Sequence, residues 1–348
     1  MANEITGREV VVALKKAATW HTPVACGAGN GMLIRSDGIK VTVATEPDDS
    51  AGQEWIQQAD AGLQELKGQL KTYGRYRGLE TQMALIMGTA GAPAQQGATA
   101  AYLHTLQLAT NVIGKFGTLA QLKLSNKVWE LPSLKLHGFK LVAKMNKPVD
   151  IDFDGIADKL DRASATNTTV TMANVTMPDV ANRIIMNKDT VVRVNDQSAA
   201  ALDDTMKIYP SEIEISFNRP MDSEPVAGQE GVDEPTDNGF PVATITMKFP
   251  RYNTANDAFF TDWDGFISKK MDITFTGKTI ESTYKYQWKF SFTHLKVDNP
   301  EAPVNGAGKI PFSLKFNVYG AAAAPTGMAF TEPFQLAIIS TLTTDPLA

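Results

Sequence analysis

Between Tyr284 and Phe292 every second residue is aromatic: Tyr284, Tyr286, Trp288, Phe290 and Phe292, with lysine, glutamine or serine in between. A repeat of two is the side-chain period of a β-strand with one dry face and one wet face. The same alternation runs through Val191–Val194, Ile213–Phe217, Ala243–Phe249, Met271–Thr276 and Phe312–Tyr319. In the first half it marks Ile39–Val43, Leu134–Leu136, Val149–Phe153 and Thr168–Met172. Lysine, threonine and serine fill the outward places, which suits antiparallel sheet with a solvated or partner-facing side. The pattern predicts a mainly β chain with few helices.

Two stretches read as amphipathic helices. Residues 254–270 open with capping residues and early acids and close on Lys269 and Lys270, in keeping with the helix dipole. Phe259, Trp263, Phe266 and Ile267 fall on one face and are expected to pack on a sheet. Residues 99–116 offer Tyr102, Leu106, Ala109, Ile113 and Phe116 at helical spacing, with the same expectation for Leu106 and Ile113. Each half thus holds early strands, one helix and later strands. The chain of 348 residues is long enough for two domains. The predicted units are 1–182 and 183–348, the boundary falling near 178–187. Residues 1–30, 88–97 and 221–238 are poor in large apolar side chains and read as long exposed arms or loops.

Composition narrows the function. A single cysteine, Cys26, excludes an intrachain disulfide framework, an all-cysteine zinc site and a cysteine-held iron–sulfur cluster. A net charge of -5 argues against a protein that grips nucleic-acid phosphates, though not against one that lets nucleic acid pass. The start carries no secretory pattern, and no run reaches the roughly 18–20 apolar residues of a membrane helix. The expectation is a chain made in a reducing cytoplasm.

Asp150, Asp152, Asp154, Gly155 and Asp161 stand at positions 1, 3, 5, 6 and 12 of a calcium loop. Position 12 normally carries the longer glutamate, and Ile151 and Phe153 alternate with the acids as buried strand residues would. An acidic strand edge running into a helical turn is the preferred reading, with no metal. His21, His104, His137 and His294 show no ligand spacing. The glycines from Gly27 to Gly31 lack the Lys-Ser/Thr of a phosphate loop and read as an arm or turn. The acid pairs Asp48–Asp49 and Asp203–Asp204 read as exposed turn carboxylates. No assembled active site or cofactor motif emerges, so the chain reads as a non-enzyme.

An ordered series of stretches resembles the major tail tube protein of bacteriophages with long, non-contractile tails. The series is Ala18–Pro23, Gly27–Gly31, Glu46–Gly52, Leu85–Gly91, His104–Leu106, Gly114–Thr118, Val128–Ser133 and Leu136–Phe139. The second half is similar in the order of its strands and helix. The resemblance implies two β-sandwich or barrel units, each flanked by an α-helix. It implies homotrimeric rings with pseudo-sixfold symmetry, stacked into a virion tail tube assembled in the host cytoplasm. It further implies a lumen occupied by a tape-measure protein before DNA passes, without specific DNA binding. On that reading Asp150, Asp152 and Asp154 are candidates for an acidic lumen.

Three other readings compete. A baseplate or tail-terminator ring protein would share the ring logic. A carbohydrate-binding or adhesin module would use the aromatic strand 284–292 as a groove. A β-scaffold hydrolase would need two convergent carboxylates.

Overall fold

The alternation is realised as pairing. The structure is a computed structural model that describes residues 6–124, 127–226, 228, 231–304 and 306–348. Among these, fourteen strands have six residues or more. The first half supplies β1 (Val11–Ala17), β2 (Lys40–Pro47), β3 (Ala59–Tyr73), β4 (Tyr102–Leu108), β5 (Phe116–Leu124), β6 (Lys127–Lys144) and β7 (Asp150–Ala157). The second supplies β8 (Val191–Asp196), β9 (Glu212–Asn218), β10 (Val242–Phe249), β11 (Ser268–Glu281), β12 (Tyr284–Glu301), β13 (Phe312–Tyr319) and β14 (Phe334–Ser340). The helices are α1 (Glu80–Met87), α2 (Thr169–Ala173) and α3 (Thr254–Asp264). The mainly β class is as the alternation predicts.

Ten strands lie side by side, all antiparallel, in the order β2, β3, β7, β6, β9, β10, β13, β12, β11, β8. The 18-residue strands β6 and β12 occupy similar places in their halves. Each changes partner midway. β6 pairs β5 up to Leu134 and β9 from Gly138 onward. β12 pairs β14 from Gln287 to Phe292 and β13 from His294 onward. β1 extends from β5, and β4 from β14. Two of these pairings, β6 with β9 and β4 with β14, join residues before the 178–187 stretch to residues after it.

The inner face of the long sheet is dry. Ile151, Phe153, Phe139, Leu141, Ile213, Ile215, Ile245, Met247, Leu314 and Phe316 are all fully buried. Phe334 of β14 closes over the junction, with ring centroids 6.2 Å from Phe139, 5.3 Å from Phe217 and 5.7 Å from Phe292. One apolar cluster runs from Val12 to Leu347. Burying a side chain of this kind contributes roughly 1.5–3 kcal/mol.

Helix assignment departs from the sequence reading in several places. Residues 102–108 form strand β4, not the middle of a helix. Positions i and i+4 share a side in both a strand and a helix, and here His104, Leu106 and Leu108 alternate inward against β14. Leu106 is in the core, but Ile113 lies in the following turn and is 62% exposed. Residues 168–172 are helical rather than extended: the Thr168 side chain accepts from the Thr171 amide and caps α2. The third helix starts as expected, with Asn253 as its cap, but ends at Gly265. Phe266 then takes φ 50 and residues 268–270 enter β11. Of its four predicted core residues only Phe259 is buried; Trp263, Phe266 and Ile267 are exposed. Phe266 instead lies under Lys296, 4.3 Å from the ring centroid. The short α1, apolar on nearly every side, is buried and ends on Gly88 at φ 83.

Two of the predicted arms belong to the body. Residues 1–5 lie outside the described residues, but β1 follows and Ala13 and Cys26 are buried. Trp20 meets Phe116 edge-on at 5.0 Å and donates to the Val232 carbonyl at 2.8 Å. That carbonyl lies in the 221–238 loop, of which residues 227, 229 and 230 are outside the described residues. The loop is anchored by buried Met221 and Val232. It is also tied by Glu234, which pairs with the wholly buried Lys135 Nζ and accepts from the Gly114 amide at 2.7 Å. Lys135 also donates to the Val112 carbonyl at 2.7 Å. Burial lowers the Lys135 pKa while Glu234 raises it.

Removing one partner of a buried pair strands the other charge. Glu234→Ala is therefore expected to lower the unfolding free energy by about 3 kcal/mol, read from urea midpoints, and deleting residues 221–238 to impair folding itself. A loop variant as stable as the wild type would show that the anchoring contributes nothing.

Candidate functional site

The outward face of the long sheet concentrates the polar side chains that the alternation leaves over. Strand register sets them in rows. Lys71, Asp152, Lys140, Ser216, Thr244 and Asn317 lie across from one another on successive strands. In the next row Asp150, Val142, Glu214, Thr246, Lys315 and Asp298 do the same. Directly opposed residues on one face are about 4.5–5.5 Å apart, so opposite charges in these rows can pair.

They do. Asp150 pairs with Arg35, Lys71 Nζ reaches Asp152 at 3.1 Å, and Gln69 Nε2 donates to Asp154 Oδ1 at 2.8 Å. Lys140 meets Glu214 at 2.8 Å. Glu212 lies between Lys248 at 3.2 Å and Lys144 at 3.6 Å, and Lys315 stands 3.6 Å from Asp298. Asp150, Asp152 and Asp154 do share one face of one strand, but each has a cationic or amide partner. They form part of a mixed, self-neutralising surface rather than a bare acidic stripe.

Asp161 is not with them. Asp150 opposes Val142 of β6, whereas the Asp161 amide and carbonyl pair with Glu130 near that strand's start. Twelve residues of β6, about 40 Å of extended chain, separate the two positions. Ile151 and Phe153 fill the core between the acids. The segment is extended strand, and no helical turn follows it.

The remaining candidates have structural partners. Asp203 caps the turn at Thr205, and Asp204 binds Arg193 and Lys207. Asp48 accepts from the Ser50 amide at 3.0 Å. His21 meets buried Asp158 at 3.2 Å, His137 meets Asn218, and His294 meets Ser268, all in different places. Among the described residues no three His, Cys, Asp or Glu side chains gather as a metal group. Burial pushes the Cys26 thiol up to about 12, which keeps it protonated and unreactive. Among the described residues no helix is long and apolar enough to cross a membrane.

Of the most exposed element, the alternation marks only Ile39–Val43, at the start of β2. β3 leaves its last contact with β7 at Leu66, opposite Ala157, and among the described residues continues with only β2 beside it. The described side chains of the resulting ribbon are exposed on both faces, and its tip carries Trp55 and Ile56 at 73% and 61% exposure. The signal available was an apolar pair inside an acidic, strand-poor segment. At that same end of the sheet, Phe240, Val242 and Tyr319 line a groove of about 710 Å³.

No protein-family model matches the chain, and no curated protein matches it.

Two outcomes test these assignments, one on the polar face and one on a buried histidine. Exposed ion pairs contribute about 0–1 kcal/mol each, so Glu214→Gln is expected to leave stability within about 1 kcal/mol of wild type in urea titrations. His104 is buried, donates from Nε2 to the Leu342 carbonyl at 2.9 Å, and has its pKa lowered chiefly by burial. The folded state resists protonation that the unfolded chain accepts near 6.5. Stability from this group is full above that pH and falls as pH drops towards the lower folded value. His104→Gln is expected to flatten the loss between pH 7.5 and pH 5.5; an unchanged slope would place the acid sensitivity elsewhere.

Proposed function

We propose that the chain is a structural subunit that closes into rings and stacks into a tube serving as a phage tail conduit. The β2–β3 ribbon carries this reading. A two-stranded ribbon is at best marginally stable in water, and an open edge templates pairing with another chain. Such an element gains a dry partner when copies of the subunit assemble. Trimeric rings agree with a chain whose halves repeat the role of an 18-residue strand. The self-paired sheet face is suited to line a lumen. Its carboxylates and cations satisfy one another, so it offers DNA or a tape-measure protein no uncompensated basic stripe to hold phosphates. Assembly in the host cytoplasm and a place in the virion tail follow from the same reading.

A baseplate or terminator ring protein is the nearest alternative, because it would use the same sheet. It differs in stopping at a ring. The adhesin reading loses its groove, since Trp288, Phe290 and Phe292 are fully buried.

Negative-stain electron microscopy and light scattering of the purified chain are expected to show rings and long hollow tubes. Rings that never elongate at high concentration would favour the terminator reading. A monodisperse monomer would overturn both.

A further inference from the structure

We propose that the tip of the β2–β3 ribbon seats in a basic, aromatic-lined groove at the opposite end of a second copy of this chain. The inference rests on the tube-subunit reading and deepens it by naming the contact between successive subunits.

Three observations carry it. The first is chemistry. Residues 46–60 hold Glu46, Asp48, Asp49, Glu54 and Asp60 and no basic residue, around exposed Trp55 and Ile56. The groove has about 550 Å³ of space. Tyr209, Phe249 and Pro250 supply its apolar walls, Lys207, Arg251 and Lys309 its charge, and among the described residues no carboxylate lines it. Lys207 is bound to Asp204, but Arg251 and Lys309 have no ion-pair partner among the described residues. Tyr209 is 78% exposed. An aromatic anchor entering an apolar slot rimmed by opposite charge is the usual make-up of an interface hot spot.

The second is position. The ribbon leaves the sheet at Leu66 and Ala157. The groove lies beyond Phe249, at the end where Lys144, Glu212 and Lys248 stand in register. These are the two opposite ends of the strands. The third is reach. The seven residues from Ala59 to Glu65 overhang by about 20 Å at the usual strand rise. The ribbon extends away from its own groove, so the two surfaces can meet only between copies. A contact between unlike ends repeats without closing along the strand direction, which yields a stack rather than a dimer.

The test uses two full-length variants, Trp55→Ala with Ile56→Ser, and Lys207→Glu with Arg251→Glu and Lys309→Glu. All five side chains are outside the core, and thermal melts matching the wild type check folding. Sedimentation velocity and negative-stain microscopy are expected to show that each variant alone stops at single rings. Mixed together, they are expected to form discrete two-ring stacks, because one intact tip and one intact groove remain. Tubes of normal length from either variant, or a mixture that stays as single rings, would overturn the docking while leaving the tube reading in place. A wild type that forms neither rings nor tubes would overturn the tube reading itself.

Discussion

Backbone hydrogen bonding along β6 is the constraint on which the rest depends. Its first residues are held by β5, its middle by β7, and its last by β9. A shift of one residue would turn Phe139 and Leu141 to water and bring Lys140 inside. Every row of the polar face takes its register from this strand, as does the aromatic junction of Phe139, Phe217 and Phe334. Since β9 belongs to the second half of the chain, β6 also makes one core of residues that are far apart in sequence. Gly138 fits this crowded position: a Cβ there would lie 2.8 Å from the Phe217 carbonyl oxygen.

The strands were the legible part of the sequence. Alternation located β7, β9, β10, β12 and β13 because one face of each is dry, and a dry face leaves a periodic trace. The helices were harder for the same reason in reverse. Tyr102 and Leu106 satisfy both periods, and only the partner strand β14, more than 200 residues later, decides between them. Thr168 to Met172 reads as β-branched strand until the Thr168 cap is seen. The buried α1 has no polar side from which to infer a stripe. Loop 221–238 looked exposed because its anchors are single residues, Val232 and Glu234, whose partners Trp20 and Lys135 are distant in sequence.

The electrostatic reading changed most between sequence and structure. Three aspartates in five residues suggest a negative surface when only the strand that bears them is considered. Lys71 and Gln69 arrive opposite Asp152 and Asp154 from β3, and Arg35 reaches Asp150 from the segment before β2. Sequence supplies the charges of a face; register supplies their sum. A chain with a modest net charge can therefore present a large, strongly polar wall with little net field, which depends on neighbour pairing rather than on composition.

The β2–β3 ribbon has a mechanical consequence. β3 is one continuous strand from the ribbon into the body, where it runs antiparallel to β7 for eight residues. Antiparallel hydrogen bonds stand perpendicular to the strands. Tension on the tip along the strand axis would load those bonds together in shear rather than peel them one at a time. From β7 the load would spread through β6 into the whole sheet. A subunit held by this ribbon would be stiff in traction along the strand direction and compliant to sideways bending, where only two strands resist.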